Sequence, residues 1–350
     1  MRVLLILNPN STSQNAGLLR QVVPALRSVP GLSMEARMTQ YPGHAEQMVA
    51  GMRRADFDAV IAMGGDGTVN EIVNGLLGTV KDSAGAGQQP RPEDLPVLAI
   101  IPTGSANVFV RALGFPAGAV DATHVLARLL DRHSTRTICL GTWDERWFAV
   151  NAGFGLDADV LAHVDRARER GFAATPLRYL AIGVRAYTRA LRRPPRINVV
   201  AEGRDGQRWE HENVPLMLAS NTNPWTFLGP LPMVTNPRNS FDEGLGLFGL
   251  SSLQGVSGLV GMLHLIGVDH RRWLNKVTSA RTLQFDDATA VTLSCPTPHR
   301  FQADGESEGT HTRVQLKSVP DALEVFAPQE AGEPHKRSLK EILRDLIRIK

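Results

Sequence analysis

The sequence predicts an α/β protein in which an N-terminal layered α/β domain is followed by a second, mainly β, sandwich-like domain. The N-terminal part alternates short apolar runs with stretches of helical periodicity, which is typical of layered α/β domains. After about residue 135 the apolar runs become β-like. With 350 residues, 43% of them hydrophobic, the chain can fill two cores. We therefore predict domains at residues 1–134 and 135–327, with residues 328–350 able to pack back on the first domain.

The first domain is expected to contain four short strands joined by helices. The apolar runs that predict strands are Arg2 to Leu7, Leu32 to Thr39, Asp58 to Met63 and Val97 to Ile101. The third run is nearly all apolar and is expected to be buried on both faces of a parallel sheet. Single-stripe helical periodicity appears between the strands, at Leu18 to Leu26, Ala45 to Met52 and Val69 to Val80.

The third of these helices carries a predicted start signal. Thr68 and Glu71 have the spacing of a Thr-x-x-Glu capping box, so the helix is expected to begin at Thr68. Residues 81–96 are rich in Gly, Pro and Gln and are expected to form a flexible loop before the fourth strand.

The second domain is predicted from a series of β-like runs. They are Thr137–Leu140, Trp147–Asn151, Arg196–Ala201, Pro215–Ser220, Leu245–Leu250, Ala290–Ser294 and Leu323–Ala327. A helical segment at Pro176 to Leu191 is expected to be inserted between two of these strands. Nine arginines lie between Arg166 and Arg196, against two acidic residues, Asp165 and Glu169. This segment is either a solvated helix face or a surface for an anionic membrane or a phosphate-bearing ligand.

Cysteine usage and the apolar runs indicate a cytoplasmic protein. Cys139 and Cys295 cannot build a disulfide framework and lack metal-site spacing, so both are expected in the core. The first apolar run, Val3 to Leu7, is too short for a signal peptide. Gly244 to Val268 is uncharged and long enough for a membrane span, but its glycines and polar residues favour a buried strand followed by a helix.

The C-terminal segment, Lys336 to Lys350, is expected to form a basic amphipathic helix. Ser338 and Glu341 have capping-box spacing, and the apolar residues share one helix face. Such a helix can lie on an anionic membrane or dock on the body of the protein. Both interpretations stay open from the sequence.

A glycine-rich turn, Gly64-Gly65-Asp66-Gly67-Thr68, follows the third strand and precedes a helix. Glycines let a phosphate approach the backbone, and the N–H groups at a helix start attract anions. Asp66 can orient the turn or hold Mg²⁺ directly or through water. The combination of strand, turn and helix predicts a phosphate-binding loop.

Two further turns follow neighbouring strands. One is Ile101 to Asn107, which leads into a helical segment, and the other is Asn8 to Thr12 after the first strand. The strand ends of an open parallel sheet face one crevice, where ligands bind. Each of these turns taken alone is also compatible with a plain loop.

A late turn, Ala303-Asp304-Gly305-Glu306, carries two carboxylates. One carboxylate could accept the proton of an acceptor hydroxyl or anchor a metal. By itself the motif favours a hairpin turn with solvated acids.

Together these motifs resemble the diacylglycerol kinase catalytic-domain superfamily, which includes bacterial diacylglycerol kinases, sphingosine kinases and ceramide kinases. The resemblance extends from Arg2 to about Ala327. Its pieces are NPNS at 8–11, Thr39 with Gly43-His44-Ala45, GGDGTVNEIVNGL at 64–76, IPTGSANVFVRALG at 101–114, FAVNAGFGLDADV at 148–160, FDEGLG at 241–246 and ADGE at 303–306.

The resemblance implies an ATP-dependent lipid kinase with ATP and Mg²⁺ as cofactors and diacylglycerol as the default acceptor. The residues expected to bind ATP are Asn8, Pro9, Asn10, Ser11, Thr12, Thr39, Gly64, Gly65, Asp66, Gly67, Thr68, Val69, Asn70, Glu71, Ser105 and Asn107. Asp304 and Glu306 match the pair from which a general base is drawn, without a choice between them. The FDEGLG segment is similar to a structural magnesium motif, so the expected metal residues are Ser240, Glu243 and the Leu245 backbone, besides Asp66.

The resemblance also implies a setting for the protein. We expect peripheral association with the inner face of the membrane, a lipid substrate and no nucleic-acid partner, and a homodimer is left open. The chain departs from the family pattern at three points: Thr12-Ser13-Gln14 where a lysine is often found, Ser105 in place of threonine, and Glu243 in place of aspartate. These departures leave open which cation contacts the phosphates and whether the metal site is occupied.

Rival functions share part of the pattern. NAD kinases and phosphofructokinases also use a GGDG-type loop. Here Pro102 follows Asp66 closely and leads to Ala106-Asn107, which is the lipid-kinase arrangement. A binding protein that kept the fold without turnover is the alternative from a different class.

Overall fold

The computed structural model describes residues 1–12, 15–80, 89–155, 191, 194–228, 231–253 and 282–328. Its helices are α1 (Ala16–Arg27), α2 (His44–Val49), α3 (Asp66–Leu77), α4 (Val108–Ala112) and α5 (Ala119–Asp131), with a 3-10 turn at Pro92–Asp94. Its strands in the first half are β1 (Arg2–Leu7), β2 (Ser33–Met38), β3 (Ala59–Gly64), β4 (Val97–Pro102), β5 (Thr135–Trp143), β6 (Arg146–Phe148) and β7 (Asn151–Gly155). The later strands are β8 (Ile197–Gly203), β9 (Arg208–Val214), β10 (Leu216–Ser220), β11 (Thr226–Leu228), β12 (Leu231–Met233), β13 (Leu245–Leu250), β14 (Thr282–Ala303) and β15 (Glu306–Phe326).

The first four strands form a parallel arrangement in the order β4-β3-β1-β2. Every residue of β3 and β4 is buried, as expected for strands covered on both faces. Helix α1 contributes Val22 and Leu26 to the core below the sheet. The carboxyl ends of all four strands therefore reach one edge, where the predicted phosphate turns lie.

Helix α3 begins two residues earlier than the capping box predicted, and the box does not form. Gly65 is the N-cap and has no side chain to offer. The carboxylate of Glu71 instead accepts the N–H groups of Gly43 at 2.8 Å and Ala45 at 3.0 Å. Glu71 therefore holds the start of α2 rather than the start of its own helix.

The later strands form a mainly β unit that closes on itself. Strands β13, β10, β7 and β14 pair antiparallel in that order, and β13 also pairs with the first part of β14. A second core fills the interior, including Phe154, Leu247, Phe285 and Phe301. The predicted fold class, an α/β unit followed by a mainly β unit, is confirmed. The exact division at residue 134 stays a prediction.

Three expectations about the later strands were wrong in detail. The single strand expected at Trp147–Asn151 is two strands, β6 and β7, because the backbone between them binds a side chain instead of a neighbouring strand. Strands β14 and β15 are much longer than the apolar runs that predicted them. The polar strand β9 and the short pair β11 and β12 carry little apolar periodicity and were not predicted.

Strand β15 links the two halves of the protein. It pairs antiparallel with β14 and β5, and near its end Val325 pairs parallel with Leu98 of β4. Residues Val325 to Ala327, at the end of β15 and just after it, are buried in the first core. The chain thus returns to the parallel sheet after building the second unit, which brings the late hairpin close to the early turns.

Both cysteines are buried and unpaired, so their prediction as core residues is confirmed. Within the described ranges, no helix has the length and apolar composition that crossing a membrane requires. The strand predicted in Gly244 to Val268 is β13, and the rest of that stretch from residue 254 lies outside the described residues. So do the predicted helices at Pro176 to Leu191, apart from Leu191, and at residues 336–350.

Candidate active site

The glycine-rich turn joins the buried strand β3 to the N-terminus of α3. A Cβ added to Gly64 would lie 2.5 Å from Cβ of Thr68, so the turn is too tight for a side chain there. The Thr68 side chain is buried, and its hydroxyl accepts the Asn8 amide at 2.9 Å. The first backbone N–H groups of this twelve-residue helix thus lie beside glycine positions, where no side chain obstructs an anionic group.

Asp66 ties this turn to the next one. Its two carboxylate oxygens accept the N–H groups of Val108 at 3.0 Å and Phe109 at 2.9 Å, at the start of α4. Burial raises the pKa of Asp66, while these hydrogen bonds and the charge of Arg111 act in the opposite direction. The geometry supports the orienting role among the two considered for Asp66, and its metal role stays a prediction.

The second turn packs directly on the first. A Cβ on Gly104 would lie 2.6 Å from Cα of Gly65, so the two backbones touch. Asn107 has a positive φ of 50° and folds its amide back, accepting from Gly104 N–H and donating to Gly104 C=O, each at 2.9 Å. Ser105, in the middle of this turn, is exposed. The structure therefore brings both turns to one crevice.

The third turn, after β1, joins the same cluster. The Ser11 and Thr103 hydroxyls are 2.7 Å apart, and Asn10 N–H donates to the Asn8 side chain at 3.0 Å. Thr39 N–H donates to Leu7 C=O at 2.9 Å, which places Thr39 beside the end of β1. The turns after three strands and the residue after β2 thus lie along one edge of the sheet.

The late carboxylate turn is a two-residue hairpin between β14 and β15. Asp304 and Gly305 both have positive φ, 49° and 84°, as an Asp-Gly hairpin turn favours. The Asp304 carboxylate accepts four hydrogen bonds of 2.7 to 3.1 Å, from the Asn70 amide and the N–H groups of Ala149, Val150 and Asn151. Burial raises the pKa of Asp304 to about 6, and the hydrogen bonds oppose this shift.

Glu306 lies on the other side of this hairpin turn, against Gly67 of the glycine-rich turn. Glu306 is exposed, whereas Asp304 is buried. A Cβ added to Gly67 would lie 2.8 Å from Oε1 of Glu306, so the carboxylate rests where a larger residue in the loop would clash. Arg146 is within electrostatic reach of Glu306 and forms a two-bond ion pair with Glu46, at 2.9 and 3.1 Å.

Comparison with known proteins agrees with this arrangement. Residues 2–142 match the family model of the diacylglycerol kinase catalytic domain. Over these residues the chain is similar to the diacylglycerol kinase catalytic-domain superfamily. The matched residues contain all three turns at the sheet edge, whereas Asp304 and Glu306 lie beyond them.

Relatives and solved structures extend the likeness. A diacylglycerol kinase of Staphylococcus haemolyticus is 34% identical over 125 residues, covering 36% of this chain and 32% of that protein. A protein of Xanthomonas oryzae pv. oryzae named "Probable lipid kinase YegS-like" is 31% identical over 180 residues, covering 51% of this chain and 54% of its own length. The match thus spans between a third and about half of these relatives.

A crystal structure from Bacillus anthracis, described as a diacylglycerol kinase, covers the chain more fully. It aligns with 94% of this chain and 97% of its own, with a TM-score of 0.65 and 20% identity. At that identity the likeness concerns the fold. Most of the chain, including the mainly β unit, therefore has a counterpart of the same fold.

Several residues that support the candidate site were missed from the sequence. Asn74 donates to Trp147 C=O and accepts Trp147 N–H, at 3.1 and 3.0 Å. Gln302 donates to the Asn151 side chain at 2.8 Å and accepts Gly305 N–H at 3.0 Å. Asn74 lies one helical turn after Asn70, and this spacing could have pointed to it. The other partners come together only through the fold.

The predicted magnesium segment makes contacts within itself and with residues outside it, such as the Gly244 N–H that donates to the Asp287 carboxylate at 2.6 Å. The Ser240 hydroxyl accepts Asp242 N–H at 3.3 Å, Glu243 is exposed, and Leu245 begins β13. Hydroxyl, carboxylate and carbonyl oxygens are the ligands that Mg²⁺ prefers. In the part of the chain that the structure describes, no three His, Cys, Asp or Glu residues group as a metal site. The metal assignment stays a prediction.

Proposed function

We propose that this protein is an ATP-dependent lipid kinase that transfers the γ-phosphoryl group of ATP to a lipid hydroxyl. Diacylglycerol, giving phosphatidic acid, is the proposed acceptor. A similar protein is named diacylglycerol kinase, and the family model that matches this chain describes the catalytic domain of diacylglycerol kinases. A sphingoid or ceramide-like alcohol would use the same phosphate turns. The proposed site of action is the inner face of a membrane.

The observation that carries the proposal is the contact between the phosphate turn and a carboxylate from the far end of the chain. Phosphoryl transfer needs a cradle for phosphates and a group that positions or deprotonates the nucleophile. The proposed cradle consists of Gly65 and Gly67 with the N-terminus of α3, and Gly104 packs against Gly65. The carboxylate is Glu306, which lies against Gly67.

The proposed chemical step is an in-line displacement at the γ-phosphorus. The lipid hydroxyl oxygen forms a bond to phosphorus while the bond to the β–γ bridging oxygen breaks, and that electron pair leaves with ADP. The hydroxyl proton goes to a carboxylate acting as general base. Mg²⁺, when bound with ATP, neutralises the charge on the transferring group.

Of the two candidate bases, the hydrogen-bond pattern favours Glu306. A carboxylate offers about four lone-pair sites, and four donors already occupy those of Asp304. Asp304 therefore serves to position the turn. Glu306 is exposed at the mouth of the crevice, where an acceptor hydroxyl can approach it.

The direct test is to incubate the purified protein with labelled ATP, Mg²⁺ and mixed vesicles of phospholipid and diacylglycerol. We expect labelled phosphatidic acid. Labelled NADP from added NAD without labelled lipid would assign the site to the rival nucleotide substrate. Nucleotide binding without any transfer would favour the non-catalytic alternative.

Replacing the proposed base tests the mechanism. We expect Glu306→Gln to lower turnover by about 10²- to 10⁴-fold, the usual contribution of a general base, with ATP affinity and the unfolding midpoint unchanged. The matched control is Glu308→Gln, two residues along the same face of β15, which should keep near-normal turnover. Full activity of Glu306→Gln would remove Glu306 as the base.

The membrane part of the proposal rests on segments outside the described residues. The basic tail at 336–350 and the arginines between Arg166 and Arg196 would supply contacts to an anionic surface. Vesicle binding by a chain truncated after residue 335 examines this separately from catalysis. Unchanged binding after truncation would exclude the tail as an anchor.

A further inference from the structure

Exposed apolar side chains are concentrated at the carboxyl end of β2. Among the described residues, Met38 and Tyr41 are the large hydrophobic residues with high exposure, at 56% and 47%. Met38 is the last residue of β2, and Tyr41 follows three positions later. Thr39, which lies between them, is buried against the end of β1. The exposed pair therefore lies at the same sheet edge as the phosphate turns.

The Tyr41 ring is held in a defined orientation. It stacks on the His44 imidazole, with ring centroids 4.5 Å apart and planes only 12° from parallel. The Tyr41 hydroxyl donates to the Gln47 side chain at 2.8 Å, and His44 Nδ1 accepts Gln40 N–H at 3.1 Å. Since one ring face of Tyr41 is against His44 and the residue is 47% exposed, its other face forms an open aromatic platform.

The end of β2, which leads to the platform, lies two strand spacings from the end of β3, which leads to the glycine-rich turn. The strand order places β1 between β2 and β3. Neighbouring strands are about 4.8 Å apart, so the ends of β2 and β3 are roughly 10 Å apart. A nucleotide with phosphates at Gly65 to Thr68 would cross the end of β1, at Asn8, and bring its base to the end of β2.

We propose that Tyr41, backed by His44, is the platform on which the base of the nucleotide stacks. This inference rests on the proposed function, since it assumes that the phosphates occupy the glycine-rich turn. A flat purine matches an open ring face, and stacking needs no hydrogen-bond partner from the platform. A protein partner fits less well, because a stable interface buries at least about 1,200 Å², far more than two side chains offer.

The test compares ATP with inorganic triphosphate, which has the phosphates but no base. Dissociation constants for both, with Mg²⁺, would be measured by calorimetry on the full-length wild type, Tyr41→Ala and Tyr41→Phe. We expect Tyr41→Ala to weaken ATP binding about tenfold, in the range for loss of one stacked base, and to leave triphosphate binding unchanged. Tyr41→Phe keeps the ring and should bind ATP nearly as the wild type does.

Met38→Ala is the matched control, because it removes an exposed apolar side chain at the same edge that is not part of the ring stack. It should change ATP affinity much less than Tyr41→Ala. In lipid-kinase assays, Tyr41→Ala should raise KM for ATP with little change in kcat.

Two outcomes would overturn the platform. Equal ATP affinity of wild type and Tyr41→Ala would exclude stacking on this ring. Loss of binding to anionic vesicles with unchanged ATP affinity would assign the exposed pair to a membrane instead. Failure of the proposed function is distinguishable: a wild type that binds ATP in a Tyr41-dependent manner but phosphorylates no lipid would refute the kinase and keep the platform.

Discussion

The phosphate turns at the end of the parallel sheet and the hairpin turn of β14 and β15 both contain a buried aspartate, but the two are held in different ways. Asp66 binds two N–H groups of one short segment, 42 and 43 positions along the chain. Asp304 binds four donors from α3, from the link between β6 and β7 and from the first residue of β7, over separations of 153 to 234 positions. Both aspartates therefore join distant segments, but Asp66 links two neighbouring turns of one sheet, whereas Asp304 links elements much further apart along the chain.

The largest effect is expected from Asp304→Ala. The substitution leaves four buried donors without their acceptor and frees the hairpin turn from α3, so we expect the free energy of unfolding to fall by about 3–5 kcal/mol. Urea unfolding followed by tryptophan fluorescence would measure the loss. A smaller loss of unfolding free energy for Asp304→Ala than for Asp66→Ala would show that the four hydrogen bonds of Asp304 do not stabilise the fold more than the two of Asp66.

Asp66→Ala should have the next largest effect on stability and a severe effect on transfer. Two backbone N–H groups at the start of α4 lose their acceptor, which costs about 2–3 kcal/mol. The second turn would no longer be tied to the first, so phosphate placement and labelled-lipid formation should be lost. Asp66→Asn, which keeps one acceptor oxygen, serves as the milder companion. Normal turnover of Asp66→Ala would show that the phosphate site lies elsewhere.

Gly104→Ala should disturb the contact between the two turns with a smaller loss of stability. The new Cβ would lie 2.6 Å from Cα of Gly65, so one backbone must move, at a cost of about 1–3 kcal/mol. We expect weaker binding of both ATP and inorganic triphosphate. Gly118→Ala is the control, because its Cβ would meet only the Asp121 side chain at 3.4 Å. Equal behaviour of the two variants would show that the turns can separate freely.

Much of the first region could be predicted from the sequence because its signals are local. Strands β1 and β3 and the turns that follow β1, β3 and β4 appear as short runs whose meaning depends on neighbouring residues. The capping box was the exception. Thr68 and Glu71 had the right spacing, yet Glu71 binds the start of α2, because tertiary contacts offered its carboxylate two donors from another element.

The region around the hairpin turn of β14 and β15 was harder to predict, because its contacts also come from distant parts of the chain. The motif at 303–306 was recognised as a carboxylate turn, but the sequence left open which carboxylate reacts. The contacts from Asn74 to Trp147 and from Gln302 to Asn151 join residues 73 and 151 positions apart, so no short sequence pattern indicates them. Strand β9 is mostly polar and reveals itself only by pairing with β8.

The sequence by itself determined the fold class, the three turns at the sheet edge and the resemblance to the diacylglycerol kinase catalytic domain. Apolar periodicity and glycine placement act over a few residues, so they can be recognised without the fold. Only the tertiary structure decided how the two aspartates are occupied, brought Glu306 against Gly67 and left Tyr41 with an open ring face. Those features depend on hydrogen bonds and contacts between distant segments, which no local pattern encodes.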